Sequence, residues 1–182
     1  DHMEGKPVQL MWTGGWDSTF QLLRLLLVHG CPVEPVYLID EKRGSLAVEL
    51  KTMERLRELL AERYPHTRTM LRRTLFATIT DLLPDTEIEH AYQRVVRIHP
   101  IGTQYGWMAR FSRQRGFSNL EIGAEYTYHG AGALLTDLFV EATSWSGYTT
   151  YVLPETEGPH LPLVFGHYNF PLARTTKFQM RR

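Results

Sequence analysis

The residues best suited to chemistry in this sequence form one short stretch, Thr13-Gly14-Gly15-Trp16-Asp17-Ser18. Two adjacent glycines let the backbone approach a ligand closely and adopt positive φ angles without strain. The hydroxyl and amide groups beside them can donate hydrogen bonds to phosphate oxygens. Asp17 adds a carboxylate, and Mg²⁺ prefers oxygen ligands of this kind. The stretch therefore predicts a loop that binds an anion such as a phosphate group.

The elements on either side of this stretch suit the same task. Residues 8–12 are apolar and predict a buried strand, and the leucine-rich residues 18–29 predict a buried helix. A helix start presents unpaired N–H groups and the positive end of the helix dipole to an anion. The alternative is a glycine turn capped by Asp17 that binds no ligand.

Further along the chain, predicted strands alternate with predicted helices. Further strands are predicted at 33–39, 68–71 and 120–124, and helices at 46–64, 104–115 and 130–139, with 75–97 helical in parts. Alternation of this kind predicts an α/β fold with a doubly wound, mostly parallel sheet and helices on both faces. We expect one domain over residues 4–182, with residues 1–3 a remnant of an expression tag.

The composition excludes several classes of protein. The formal net charge is zero, which disfavours direct binding to nucleic acid. The only cysteine, Cys31, cannot form an internal disulfide, and a four-cysteine zinc site is excluded. The apolar stretch 22–28 is far too short to span a bilayer. These features favour a cytoplasmic protein without a membrane partner.

The loop differs from two common phosphate-binding patterns, because it lacks the lysine of G-x-x-x-x-G-K-[ST] and the spacing of G-x-G-x-x-G. Its pattern [S/T]-G-G-x-D-S after an apolar strand resembles the PP-loop of the N-type ATP pyrophosphatases, with Thr13 in the usual serine position. The resemblance implies a Rossmann-like fold of the adenine nucleotide alpha hydrolase (HUP) type. It also implies an enzyme that uses ATP and Mg²⁺ and cleaves ATP to AMP and pyrophosphate.

Within that superfamily the chain looks most like the 7-cyano-7-deazaguanine synthases of queuosine biosynthesis. The resemblance runs in order through the loop, the polar residues 40–44 with Glu49, residues 122–125, and residues 171–177 with Lys177. It implies a ligase that adenylates a small carboxylated substrate and forms a nitrile or amide with ammonia. The chain departs from the group at 98–104, which lacks an Arg-Asn pair, and at 126–129, which lacks Tyr-Pro-Asp-Cys. The group's zinc-binding cysteine cluster is also missing, so we expect no zinc.

The resemblance assigns roles residue by residue. The expected nucleotide-binding residues are Trp12, Thr13, Gly14, Gly15, Asp17, Ser18, Thr19, Leu38 and Ile39. The expected catalytic residues are Asp17, Ser18 and Lys177, with Asp17 also a magnesium ligand. The expected substrate contacts are Arg97, Gly123, Glu125 and His129.

Two other functions stay open at this point. One is a different PP-loop reaction, such as base modification on tRNA or amide ligation. The other is a nucleotide-binding module that has lost its chemistry and acts through a partner. A homodimer is compatible with the many aromatic residues, which are expected in the core or on a dimer surface.

Overall fold

The computed structural model describes residues 5–127 and 129–181 of the chain. Residues 1–3, with their predicted origin in a tag, and Tyr128 of the segment 126–129 lie outside the described residues. None of the helices in the described ranges is both long and apolar enough to cross a membrane.

The centre of the fold is a five-stranded sheet in which every strand pair is parallel. Its strands lie in the order β3 (Leu75–Thr78), β2 (Val33–Ile39), β1 (Val8–Met11), β4 (Leu120–Ile122) and β7 (Tyr168–Asn169). Two further strands, β5 (Val140–Thr143) and β6 (Thr149–Val152), form a separate antiparallel hairpin. The prediction of an α/β fold with a parallel sheet is confirmed.

Helices cover both faces of this sheet. They are α1 (Trp16–Leu23), α2 (Leu46–Arg63), α3 (Thr67–Met70), α4 (Thr86–Ile98), α5 (Gln104–Arg115), α6 (Gly130–Leu135), α7 (Leu161–Phe165) and α8 (Lys177–Met180). A π-helical turn, Arg24–Val28, continues α1, and Ile79–Asp81 form a 3₁₀ turn. One apolar cluster joins β1 and β2 to α1 and α2, and a second joins β1, β2 and β4 to α4, α5 and α7.

Several local predictions are wrong. The segment 68–71, predicted as the third strand, lies largely in the short helix α3, and the third strand is β3, inside the region predicted to be partly helical. Short apolar runs do not distinguish a strand from a helix by periodicity. The first helix begins at Trp16 rather than at residue 18, and Val28, predicted to be buried, is exposed.

Pro35 lies inside β2, a central strand, without a bulge. The amides of Val8 and Trp12 donate to the carbonyls of Pro32 and Val36, so even-numbered residues of β2 hydrogen-bond toward β1. The backbone hydrogen bonds of successive residues point alternately to the two neighbouring strands, so the Pro35 nitrogen faces β3. The pairing of β2 with β3 begins only at Val36. The missing N–H therefore leaves no ladder bond unmade.

The strand order determines where a ligand can bind. β1 connects through α1 to β2 on one side of the sheet, whereas β4 connects to β7 on the other side. Chain connections thus diverge between β1 and β4, and a crevice opens at the carboxyl ends of these two strands. Ligands of open α/β sheets bind in this crevice.

Candidate nucleotide-binding site

The predicted phosphate loop connects β1 to α1 at this crevice. Gly14 has φ +74°, a conformation that favours glycine, and a Cβ added there would lie 3.2 Å from Thr52 Cγ2 on α2, a tight contact. Thr13 Oγ1 accepts a hydrogen bond from the Gly15 amide at 3.4 Å. Ser18 Oγ accepts one from the Thr13 amide at 3.4 Å. The loop hydroxyls thus hold the turn in shape.

The first turn of α1 offers free donors to a ligand. The helix begins after Gly15, which supplies no side-chain cap. The amide of Thr19 makes the first intrahelical bond, to the Gly15 carbonyl at 3.0 Å, so the amides of Trp16, Asp17 and Ser18 precede the helical ladder. Such amides, together with the helix dipole, favour a bound anion.

A cavity of about 350 Å³ opens beside this turn. Its lining comes from the ends of β1 and β4, the phosphate loop, the start of α5 and the loop after β2: Met11, Thr13, Gly15, Trp16, Asp17, Ser18, Arg43, Gln104, Tyr105, Trp107, Met108, Ile122, Gly123 and Ala124. At Gly123 an added Cβ would lie 2.8 Å from the Cα of Ser18. Gly123 therefore lets the end of β4 contact the backbone of α1 directly.

Three predicted site residues from distant parts of the chain, Asp17, Glu125 and Lys177, lie close together. Asp17 lines this cavity, whereas Glu125 and Lys177 do not. Lys177 Nζ lies 3.0 Å from Glu125 Oε1, and both groups interact electrostatically with Asp17. Burial and the negative charge of Glu125 raise the pKa of Asp17, while Lys177 lowers it. Within the described residues, Asp17 Oδ1 is buried and accepts no hydrogen bond. A buried, unpartnered carboxylate oxygen is suited to a cation.

A second cavity of about 290 Å³ adjoins the first. The two share Asp17, Gln104, Tyr105 and Ala124, and Glu125 and His129 line the second one. Backbone of the glycine-rich segment 130–132 completes its wall. The predicted substrate contacts Glu125 and His129 are thus brought to one cavity that opens next to the phosphate loop.

Other predicted residues lie away from both cavities. Trp12 is fully buried, and its Nε1 donates to Thr19 Oγ1 at 3.0 Å, so these two side chains belong to the packing beneath the loop. Leu38 and Ile39 end β2 and line neither cavity. Arg97 is exposed on the last turn of α4. The roles assigned to these residues stay predictions.

The structure adds cavity residues that the sequence did not single out. Gln104, Tyr105, Trp107 and Met108 come from the first turns of α5, which was predicted as a helix without a role in the site. Arg43 lines the cavity while it pairs with Glu49 at 3.0 Å. The sequence placed Arg43 in the polar segment 40–44 after a predicted strand but assigned it no role.

Comparison with known proteins adds no assignment. No model of a known protein family matches this chain, and no curated protein matches it.

In the described ranges, no group of three or more His, Cys, Asp or Glu residues could hold a metal ion.

Proposed function

We propose that this chain is an ATP pyrophosphatase of the PP-loop type with a HUP-type fold, acting in the cytoplasm as a ligase similar to 7-cyano-7-deazaguanine synthase. The observation that carries the proposal is the meeting of Asp17, Glu125 and Lys177 beside the free amides of α1, at the crevice between β1 and β4. The parallel strand order, 3-2-1-4-5 when only this sheet is counted, supports the fold assignment.

The first turn of α1 is suited to binding the phosphate groups of ATP. Its three amides and the hydroxyls of Thr13 and Ser18 can donate to phosphate oxygens. Gly14 and Gly123 carry no side chain where the loop approaches α2 and β4, so these elements pack closely against the loop and restrict its movement. A fixed loop binds without the entropy cost of ordering donors when the ligand arrives.

Asp17 fits the role of magnesium ligand. Its buried oxygen has no donor among the described residues, and its raised pKa reflects an unfavourable environment for the charged form. A divalent cation would supply the missing positive charge and hold the carboxylate in its ionised form. Lys177 is placed to neutralise charge that develops on the phosphate groups.

The second cavity suits the acceptor substrate, because it opens to the phosphate loop and carries Glu125 and His129. In the proposed reaction, an oxygen of a small carboxylated acceptor attacks the α-phosphorus of ATP, and the bond to pyrophosphate breaks. Ammonia then displaces AMP from the activated carbon and gives an amide. A second ATP adenylates the amide oxygen with release of pyrophosphate, and loss of AMP and a proton from that intermediate leaves the nitrile. The wall residues Glu125, Gln104 and Tyr105 can orient the acceptor through hydrogen bonds.

The test is to incubate the purified protein with Mg²⁺, ATP, ammonium and 7-carboxy-7-deazaguanine and to separate the products by chromatography. We expect AMP, pyrophosphate and a nitrile product that all depend on the acceptor, and none from Asp17→Asn. Formation of ADP would exclude cleavage between the α- and β-phosphates. ATP binding without turnover of this acceptor would support the nucleotide site and contradict the assigned ligase reaction.

A further inference from the structure

The segment that carries Lys177 is anchored next to the nucleotide cavity. The Tyr126 amide, just after β4, donates to the Thr175 carbonyl at 3.0 Å. Helix α8 then begins with a capping box, in which Thr176 Oγ1 accepts from the Gln179 amide at 3.3 Å and Gln179 Oε1 accepts from the Thr176 amide at 2.8 Å. These bonds fix where α8 starts and which way its side chains point.

Two cations of this segment contact residues that line one of the two cavities, although they line neither cavity themselves. Lys177 and Arg181 are four residues apart, so their side chains lie on the same face of the helical turn. Lys177 reaches Glu125, as described above. The guanidinium carbon of Arg181 lies 5.9 Å from the centre of a Trp16 ring. Trp16 lines the nucleotide cavity and is 57% exposed, although it is a large apolar residue.

Arg181 differs from the other cations near the cavity in its partners. Arg43 pairs with Glu49, and Lys177 pairs with Glu125. Arg181 has no carboxylate partner among the residues that the structure describes; its guanidinium lies over the indole of Trp16 and interacts electrostatically with Lys177. A guanidinium over an aromatic ring keeps N–H groups available, and these can bind two oxygens of one phosphate.

We propose that Arg181 is a phosphate-binding residue, which Trp16 holds at the mouth of the cavity so that its guanidinium binds the pyrophosphate end of ATP. This inference rests on the proposed function, because it needs the phosphates to lie at the first turn of α1. Trp16 is the first residue of that turn, so a phosphate bound there lies next to the guanidinium over its ring. Lys177 and Arg181 together then form a clamp of two cations on one helix face.

The test measures binding of Mg²⁺-ATP, pyrophosphate and AMP by calorimetry to the wild type, Arg181→Ala, Arg181→Lys and Arg174→Ala. Arg174 is the matched control, because it is also exposed and its guanidinium carbon also lies over an aromatic ring, 5.3 Å from the centre of Tyr151, outside both cavities. Thermal unfolding of each variant shows whether the fold is retained.

We expect Arg181→Ala to weaken ATP and pyrophosphate binding by about ten-fold, the lower end of the effect of losing a hydrogen bond to a charged group. Arg181→Lys should weaken binding less, because it keeps the charge and loses the planar fork. Arg174→Ala should bind as the wild type does, and AMP should bind all four proteins equally. If Arg181→Ala and Arg174→Ala bind ATP equally well, the role of Arg181 is overturned and the nucleotide site is not. The same holds if Arg181→Ala loses as much affinity for AMP as it loses for ATP. A wild type that binds neither ATP nor pyrophosphate would overturn the nucleotide site itself.

Discussion

Glu121 gives the sharpest test of how the core beneath the site is built. This residue of β4 is 1% exposed, and its carboxyl group accepts hydrogen bonds from Gln21 Nε2 at 2.9 Å and from the Tyr148 hydroxyl. The contact joins β4 to α1, one turn after the phosphate loop. Burial raises the pKa of Glu121 to about 7, although the two hydrogen bonds and the charge of Arg24 oppose the increase. The substitution Glu121→Gln keeps the shape and removes the titration.

The expected effect on stability follows from the two pKa values of Glu121. The folded protein keeps the proton up to about pH 7, whereas the ordinary value is 4.5. The stabilising contribution is therefore fully present below pH 4.5 and is lost as the pH rises to about 7. At about 1.4 kcal/mol for each pH unit, the loss amounts to about 3 kcal/mol. Burial also raises the pKa of Tyr148, so its hydroxyl stays protonated over this range.

The assay is urea unfolding of the wild type and Glu121→Gln at several pH values between about 4.5 and 8. We expect the free energy of unfolding of Glu121→Gln to gain about 3 kcal/mol relative to the wild type across this range. Glu34→Gln is the control, because Glu34 also accepts from a glutamine amide, that of Gln9 at 3.0 Å, but is only half-buried. A difference between wild type and Glu121→Gln that stays constant with pH would refute the reasoning.

Three further outcomes are expected at the site. Asp17→Ala should weaken Mg²⁺-ATP binding at least ten-fold, roughly the effect of losing a charged ligand, and unchanged affinity in calorimetry would place the triphosphate elsewhere. Burial and Glu125 raise the pKa of Asp17, and a protonated carboxyl group binds Mg²⁺ poorly. The affinity for Mg²⁺-ATP should therefore increase as the pH rises through that pKa. The substitution Asp17→Asn should remove this pH dependence. Gly123→Ala should lower the free energy of unfolding by about 1–3 kcal/mol in urea titrations, because its Cβ would meet the Ser18 backbone at 2.8 Å. Gly44→Ala, where an added Cβ meets nothing within 4 Å, should unfold as the wild type does.

The sequence by itself determined the α/β class of the fold and the position of the glycine-containing loop between β1 and α1. The strand, the glycine pair and the leucine-rich helix follow one another directly in the sequence. Local spacing is therefore enough to predict β1, the loop and α1. The same holds for α5, whose bounds match the prediction and which Gly116 ends at φ +67°. The third strand was misplaced, because a segment of four residues without a clear period does not select helix or strand.

Only the tertiary structure decided which residues share the site. Asp17, Glu125 and Lys177 are far apart in the chain, and they meet because β1 and β4 are neighbours and α8 is anchored beside them. The same packing buried Glu121 under α1 and left Trp16 exposed beneath Arg181, two outcomes that run against the polarity of the side chains. The burial and the electrostatic environment of a side chain depend on contacts between distant segments. The local pattern of residues does not specify those contacts.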